Sequence, residues 1–281
     1  MEQFKFTGLN IQQTEEGIHV DQDEYVKSIK PIKLDKFSDK NDKLPKHVFA
    51  QYRALTGQLS WAAENTRPDL AFDARYLSTK NKDATYKDVH EANKILKKAQ
   101  LEENVTLKYP KLGNIEDLKI VAFSDSSYRN AENSEKSVGG RFIALSNHNG
   151  DCAPLIWKSK TIQQVCKSVK SAETRSLEKG MEDGIYLARV IQEIYGVSNI
   201  IPVEVNTDSK TLFDSLTSSK QVEEKTIRHL IAWMKQQVEE EKSVDKVNWV
   251  SSDEQIADVF TKKNVRTSAI LKVVTTGNLK G

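Results

Sequence analysis

Only two cysteines, Cys152 and Cys166, occur in the 281 residues. They cannot supply the framework of bridges that staples small secreted domains, and they offer no paired spacing for zinc. Such usage points to a reducing compartment, with both residues as free thiols. No apolar run approaches the roughly 20 residues that span a bilayer, and Met1-Glu2-Gln3 opens no signal peptide. The expected location is therefore intracellular, away from membranes. Charge of one sign is also lacking. The net charge is +2, and residues 1–110 hold 18 basic against 17 acidic side chains, so any nucleic-acid surface must be local rather than global. What is present is 38% hydrophobic content, enough for real cores, in a chain longer than one typical domain.

Four widely spaced acids in the second half carry the chemistry. Asp125 closes the apolar, β-branched run Leu118 to Ser124 and precedes Ser126-Ser127, so it is expected at a strand end. Glu173 opens a helical stripe through Leu177, Met181, Ile185, Leu187, Val190 and Ile194, which places it in the first turn. Asp208 ends a second strand-like run, Ile201 to Thr207. Asp258 follows a third, Val247 to Val250, within a short helical stretch from Gln255 to Lys263. Hard cations such as Mg²⁺ bind through oxygen, and one or two carboxylates per ion suffice beside a substrate phosphate. Four acids can hold two ions, and two-metal phosphodiester hydrolysis needs no nucleophilic side chain. The bland alternatives are a helix cap at Asp208 and a favourable helix-end charge at Glu173, since 40 acids are present in all.

The surrounding motifs narrow the choice. Phe123-Ser124-Asp125-Ser126-Ser127, Val138-Gly139-Gly140-Arg141-Phe142, Ile156-Trp157-Lys158-Ser159-Lys160, Ser171-Ala172-Glu173-Thr174-Arg175-Ser176-Leu177, Asn206-Thr207-Asp208-Ser209-Lys210 and Gln255-Ile256-Ala257-Asp258-Val259-Phe260-Thr261-Lys262 follow one another in order. Together they resemble the ribonuclease H domain of copia-type LTR retrotransposon polyproteins, and within these the animal GalEa-like lineage. The resemblance implies that Asp125, Glu173, Asp208 and Asp258 are catalytic metal ligands for two Mg²⁺ ions, with Mn²⁺ able to substitute. It implies a substrate as well, the RNA strand of an RNA/DNA hybrid, cut to leave 5′-phosphate and 3′-hydroxyl ends.

Upstream, Phe4 to Ile11 and Glu15 to Val20 read as two strands around a polar turn, similar to the hairpin that follows the polymerase active site in copia-type reverse transcriptases. Tyr52 to Ala63 and Thr66 to Phe72 resemble the segment after it, a polymerase thumb. An amphipathic helix is independently indicated by Val48, Tyr52, Leu55, Leu59 and Ala62. Thr85-Tyr86-Lys87-Asp88 caps another, with Val89, Ala92, Ile95 and Leu96 on its buried face. The resemblance implicates Gly57 and Trp61 in binding primer-template; a core role for Trp61 is equally open. The polymerase signature, an aromatic-x-Asp-Asp turn, is missing, so no polymerase activity is expected. The palm and fingers would be upstream partners in a longer polyprotein, and the chain is expected to be a fragment, a truncated element copy or a gene derived from one. The resemblance places such a protein in cytoplasmic virus-like particles, the nucleus or both.

The expected fold is α/β, a ribonuclease H-like mixed five-stranded sheet flanked by helices, preceded by a β-hairpin and a small helical thumb-like domain. Tyr109 to Asn114 punctuates the pattern, which gives domains at 1–110 and 115–264 and a tail at 265–281. In the nuclease, Val138 to Asn147 and Leu155 to Lys158 follow the first strand, and Gly139-Gly140 allows a bulge or a close backbone approach. Lys158, Lys160, Lys167 and Lys170 precede Glu173 and are candidates for phosphate contacts, or simply a solvated loop. His229 reads as structural, and Val250 to Gln255 lacks the loop histidine found in many ribonucleases H. Two other readings stay open. One is a non-catalytic nucleic-acid-binding or scaffolding module derived from an element; the other is a different nuclease on the same fold.

Overall fold

A computed structural model describes residues 2–34, 39–102, 105–131, 135–198, 200–219 and 222–280. The chain divides into two compact units, Met1–Lys108 and Tyr109–Gly281. Among the described residues, no helix is long and apolar enough to cross a membrane.

The first unit opens with strands β1 (Gln3–Phe6), β2 (Leu9–Gln13) and β3 (Gly17–Asp21). Where two strands were expected there are three, because Thr7-Gly8, both at positive φ, turns the chain within the first apolar run. Gly17, at φ 157, opens the third. The antiparallel pairing runs Phe4↔Ile11 and then Ile11↔Val20. Helices α1 (Asp23–Ser28), α2 (Lys46–Asn65), α3 (Ala71–Thr79) and α4 (Tyr86–Leu101) follow. The stripe on α2 is the buried one expected, with Val48, Tyr52, Leu55, Leu59 and Ala62 all inside. Thr85 and Asp88 form a reciprocal capping box at the start of α4, satisfying N–H groups that the first helical turn leaves free. Beneath these helices Arg67 donates to both Asp69 oxygens, at 2.9 and 2.8 Å, and to the Ala99 carbonyl at 2.8 Å. A short strand, β4 (Leu107–Pro110), leads into the second unit.

The second unit holds the expected α/β arrangement, a mixed five-stranded sheet with helices packed on it. Its strands are β5 (Lys119–Ser127), β6 (Val138–Ser146), β7 (Cys152–Thr161), β8 (Val203–Thr207) and β9 (Lys246–Trp249), in the spatial order β7-β6-β5-β8-β9. The first three pair antiparallel, whereas β5, β8 and β9 run parallel. The central strand β5 is buried on both faces, which explains its continuous apolar run. Helix α5 (Val169–Tyr195) is capped by Ser168, which accepts from the Ser171 N–H, and it ends at Gly196 in the left-handed conformation. It packs on β5, β6 and β8. α6 (Lys210–Thr217) and α7 (Lys225–Glu239) precede β9, and α8 (Ser268–Thr276) closes the chain over the tail segment where a short helix was expected.

Gly180 sets how close α5 lies to the sheet, since a Cβ there would fall 2.1 Å from the Ser124 hydroxyl. On β6, a Cβ at Gly140 would meet Phe260 and Thr261 at 2.7 Å. Gly140 is thus the close backbone approach anticipated for Gly139-Gly140, while the register shift in that strand lies further along, at Ile143/Ala144.

Candidate active site

The sheet brings the acids together by register. Phe123 pairs with Asn206, so Asp125 on β5 and Asp208 just past β8 lie two residues beyond the same rung. β9 extends this row, Thr207 pairing with Trp249. Carboxyl ends of parallel strands are where open α/β sheets place ligands. Asn206 ties the row side to side, donating to the Ala122 carbonyl at 3.0 Å and accepting from Asn248 at 3.2 Å.

Asp258 arrives from a different element, the 3₁₀ turn Ile256–Phe260. The Gln255 amide donates to the Ser124 carbonyl at 3.0 Å, and its oxygen accepts from the Ala257 N–H at 3.2 Å. Ser159 holds the other end through the Phe260 carbonyl at 2.6 Å. With Gly140 leaving room beneath, the turn presses onto the β5–β6 pair beside Asp125, whose rung partner is Gly140 itself.

As a result Asp125, Asp208 and Asp258 each offer an oxygen, all within 4.8 Å of one another. That is close to the roughly 4 Å across an octahedral ion with bonds of about 2.1 Å. The donors are all oxygen, as a hard cation requires, so the residues fit a magnesium-like ion. Glu173 lies outside that triplet but beside it. It is 6% exposed, and burial first, then the charges of Asp125 and Asp208, push its carboxyl well above the usual range, with Ser126 partly offsetting them. Asp125 is 2% exposed. Burial raises it to about 7, against the Thr261 hydroxyl and the Lys262 charge that hold it down.

Three local readings shift. β5 continues two residues past Asp125, which therefore lies within the strand rather than at its end. α5 starts at Val169, so Glu173 sits in its second turn, away from the helix-end charge. Asp208 is no cap either; Ser209 takes the N-cap position of α6.

Several contributors were quoted in the sequence motifs without a role. Thr261 donates its hydroxyl to Asp125 Oδ2. Ser176 donates to the Asp125 carbonyl at 2.7 Å and to that of Gly140 at 3.2 Å, fastening α5 to both strands. Lys262 puts its ammonium 2.7 Å from Asp258 Oδ1 and 3.9 Å from Asp125 Oδ2. Burial pulls that ammonium down, but the Asp258 hydrogen bond and the surrounding carboxylates outweigh it, and its pKa lies above the ordinary lysine value. The ammonium stands where positive charge is needed. The i, i+4 spacing from Asp258 was the signal for it.

The four lysines have different surroundings. Lys158 is half-buried on β7, and Lys167 is exposed ahead of α5. Lys160 lines a cleft of about 530 Å³ with Arg141, Arg175 and His229. Lys170 donates to Ser215 at 2.6 Å in a separate cleft that includes Asp214, Glu223 and Glu224. In the first unit, Gly57 and Trp61 share the exposed face of α2, with Trp61 39% exposed rather than in the core.

No family model matches this sequence, and no curated protein matches it. Solved structures do. LC11-RNase H1, isolated from compost by a metagenomic approach, is 19% identical over 51% of this chain and 92% of its own, with a TM-score of 0.38. RNase H1 from the halophilic archaeon Halobacterium salinarum NRC-1 is 18% identical over 51% and 94%, TM-score 0.36. The PFV RNase H domain is 14% identical over 58% and 95%, TM-score 0.34. These are likenesses of fold, and the chemistry below rests on this chain's own residues.

Proposed function

We propose that residues 109–281 form a metal-dependent ribonuclease H that cleaves the RNA strand of RNA/DNA hybrids, as part of a copia-type retrotransposon reverse transcriptase. One observation carries the reading: three carboxylates from β5, the end of β8 and a 3₁₀ turn offer oxygens within 4.8 Å, beside a buried fourth acid. Asp125, Asp208 and Asp258, with Glu173 alongside, would hold two Mg²⁺ ions, or Mn²⁺ in their place. When bound, such ions lower the pKa of a water and stabilise the attacking and leaving oxygens of an in-line displacement.

The chain's own residues prepare that chemistry. Thr261 and Ser176 fix the side chain and backbone of Asp125. Ser252 donates to Asp208 Oδ2 at 3.2 Å and orients it. Lys262 keeps the carboxylates neutralised until another cation takes its place, and its 42% exposure leaves it a way out. In the first unit, Gly57 and Trp61 on one exposed helical face would contact primer-template nucleic acid.

The test uses the full chain with an end-labelled RNA/DNA hybrid, in Mg²⁺, in Mn²⁺ and in chelator, beside Asp208→Asn. Cleavage should require a metal, leave 5′-phosphate ends and vanish in the variant. Cleavage that persists in Asp208→Asn overturns the ligand assignment. Absence of cleavage in either metal favours the second reading, a nucleic-acid-binding module whose carboxylates are permanently neutralised by Lys262, for which the 2.7 Å Lys262–Asp258 pair is the specific support.

A further inference from the structure

The last strand of the sheet ends on Trp249, and the fold treats the two parts of this side chain differently. Its indole N–H donates to the backbone carbonyl of Asp208 at 3.0 Å. The residue nevertheless remains 48% exposed. A large aromatic normally buries its apolar body and leaves its polar edge wet; here the polar edge is bonded and about half of the residue stays open to solvent. The bond also fixes the ring to the backbone of a residue whose carboxylate belongs to the cluster.

A cation accompanies it. Lys210 Nζ lies 4.9 Å from the centroid of the Phe213 ring and 5.7 Å from that of Trp249. Its ion pair with Asp214, at 3.0 Å, joins side chains that are 60% and 58% exposed, so it competes weakly with an incoming anion. A flat π surface, a neighbouring ammonium and a carboxylate cluster suited to cations thus stand in one row at the mouth of the sheet. Of the common ligands, a nucleotide within a strand matches all three: its base offers a π face, its phosphate an anion, and the cleavable bond lies along the same backbone.

We propose that Trp249, supported by Lys210 and Phe213, is a strand-docking platform that stacks a nucleobase of the bound hybrid beside Asp208. The platform sets which phosphodiester presents itself to the carboxylates. It rests on the nuclease reading and adds to it a substrate contact made by the ring itself.

The experiment separates the two ideas by working in chelator, where binding is read without cleavage. The full chain, Trp249→Ala and Trp249→Phe are titrated with a labelled RNA/DNA hybrid, following anisotropy and tryptophan emission, after their melting temperatures are matched. Hybrid should quench the wild-type emission. Trp249→Phe, which keeps a stacking ring without the indole, should lose most of that quench and hold affinity within about threefold, while Trp249→Ala should bind roughly tenfold more weakly. Three results overturn the platform: no binding or no quench in the wild type, unchanged affinity in Trp249→Ala, or equal losses in both variants. The last would reduce Trp249 to an anchor for the Asp208 carbonyl. Metal-dependent cleavage in the wild type with unaltered Trp249→Ala binding removes the platform and keeps the nuclease. Quenching without cleavage in either metal keeps the platform on a non-catalytic module.

Discussion

In residues 1–108 the Arg67 and Asp69 side chains are 2% and 0% exposed, and each charge faces its opposite through two hydrogen bonds. In residues 109–281 Asp125 and Glu173 are almost as deeply buried, but there burial itself, with neighbouring like charges added to it, pushes both acids toward neutrality, and Thr261, Lys262 and Ser126 offset it only in part. Removing an ion from water costs several kcal/mol, which a well-formed partner can offset. The first unit offsets the cost inside itself, as a purely structural pair does. The second leaves part of it standing, and an unrelieved cost of this kind in a cluster of acids is what makes these residues candidates for a functional site.

The largest effects should break this contrast cleanly. We predict that Asp125→Asn and Asp208→Asn each reduce metal-dependent cleavage by more than the roughly 10- to 100-fold typical of changes outside the ligand shell, measured by single-turnover hydrolysis of a labelled hybrid. Because Asp125→Asn also deletes a buried like charge, the metal-free variant should melt no lower than the wild type. Arg67→Met should do the reverse. It strands Asp69 in the core and should cost about 3–5 kcal/mol of stability, read by chemical denaturation, while the folded fraction keeps its cleavage rate. A variant that lost activity and stability together in both places would erase the distinction.

How far this was legible in the sequence differs along the same line. The strands β5, β8 and β9 and the stripe of α2 announce themselves by periodicity, because burial on a sheet or a helix face imposes a regular apolar pattern. The acids could be identified because each sits in a motif whose other members have mechanical duties: Gln255 on the Ser124 carbonyl, Ser176 on the Asp125 carbonyl, Gly140 under the Thr261 side chain. Thr66 to Phe72 gave no such guidance, since nothing in that string says that Arg67 turns inward to meet Asp69 and Ala99. The surroundings of Lys158, Lys160, Lys167 and Lys170 were equally unreadable. Neighbours in sequence were divided between β7 and the start of α5, whose N-terminal turn sends Lys170 toward α6.

Acidity offers a finer probe of the second region. Asp125 moves up from 3.8 to about 7, and Glu173 moves up too, so between about pH 4 and pH 7 the folded protein binds more protons than the unfolded chain. As far as these groups are concerned, stability of the metal-free protein should therefore be full at and below about pH 4 and decline by on the order of a few kcal/mol as pH rises to about 7. Divalent cation should flatten that slope, because it favours the ionised carboxylates. Melting temperature against pH, with and without Mg²⁺, reads both. A metal-free profile that rises over this interval would mean that the acids are already relieved.

The smallest effect concerns Lys262, which makes the acid cluster of the second region partly resemble the first. Lys262 supplies to Asp258 what Arg67 supplies to Asp69, but with a single ammonium on a side chain that is 42% exposed. Such a partner is removable, and it occupies an oxygen that a divalent ion would also use. Lys262→Met should therefore tighten Mn²⁺ binding a few-fold, since the competing charge is partly screened by solvent, and should lower the metal-free melting temperature slightly because the carboxylates lose their counter-ion. Calorimetric titration gives the first quantity and a thermal melt the second. Unchanged affinity would show that the ammonium and the metal do not share the site. Weaker affinity would go further, making Lys262 a fixed part of the cluster and giving the second region a permanent partner of the kind Arg67 provides in the first.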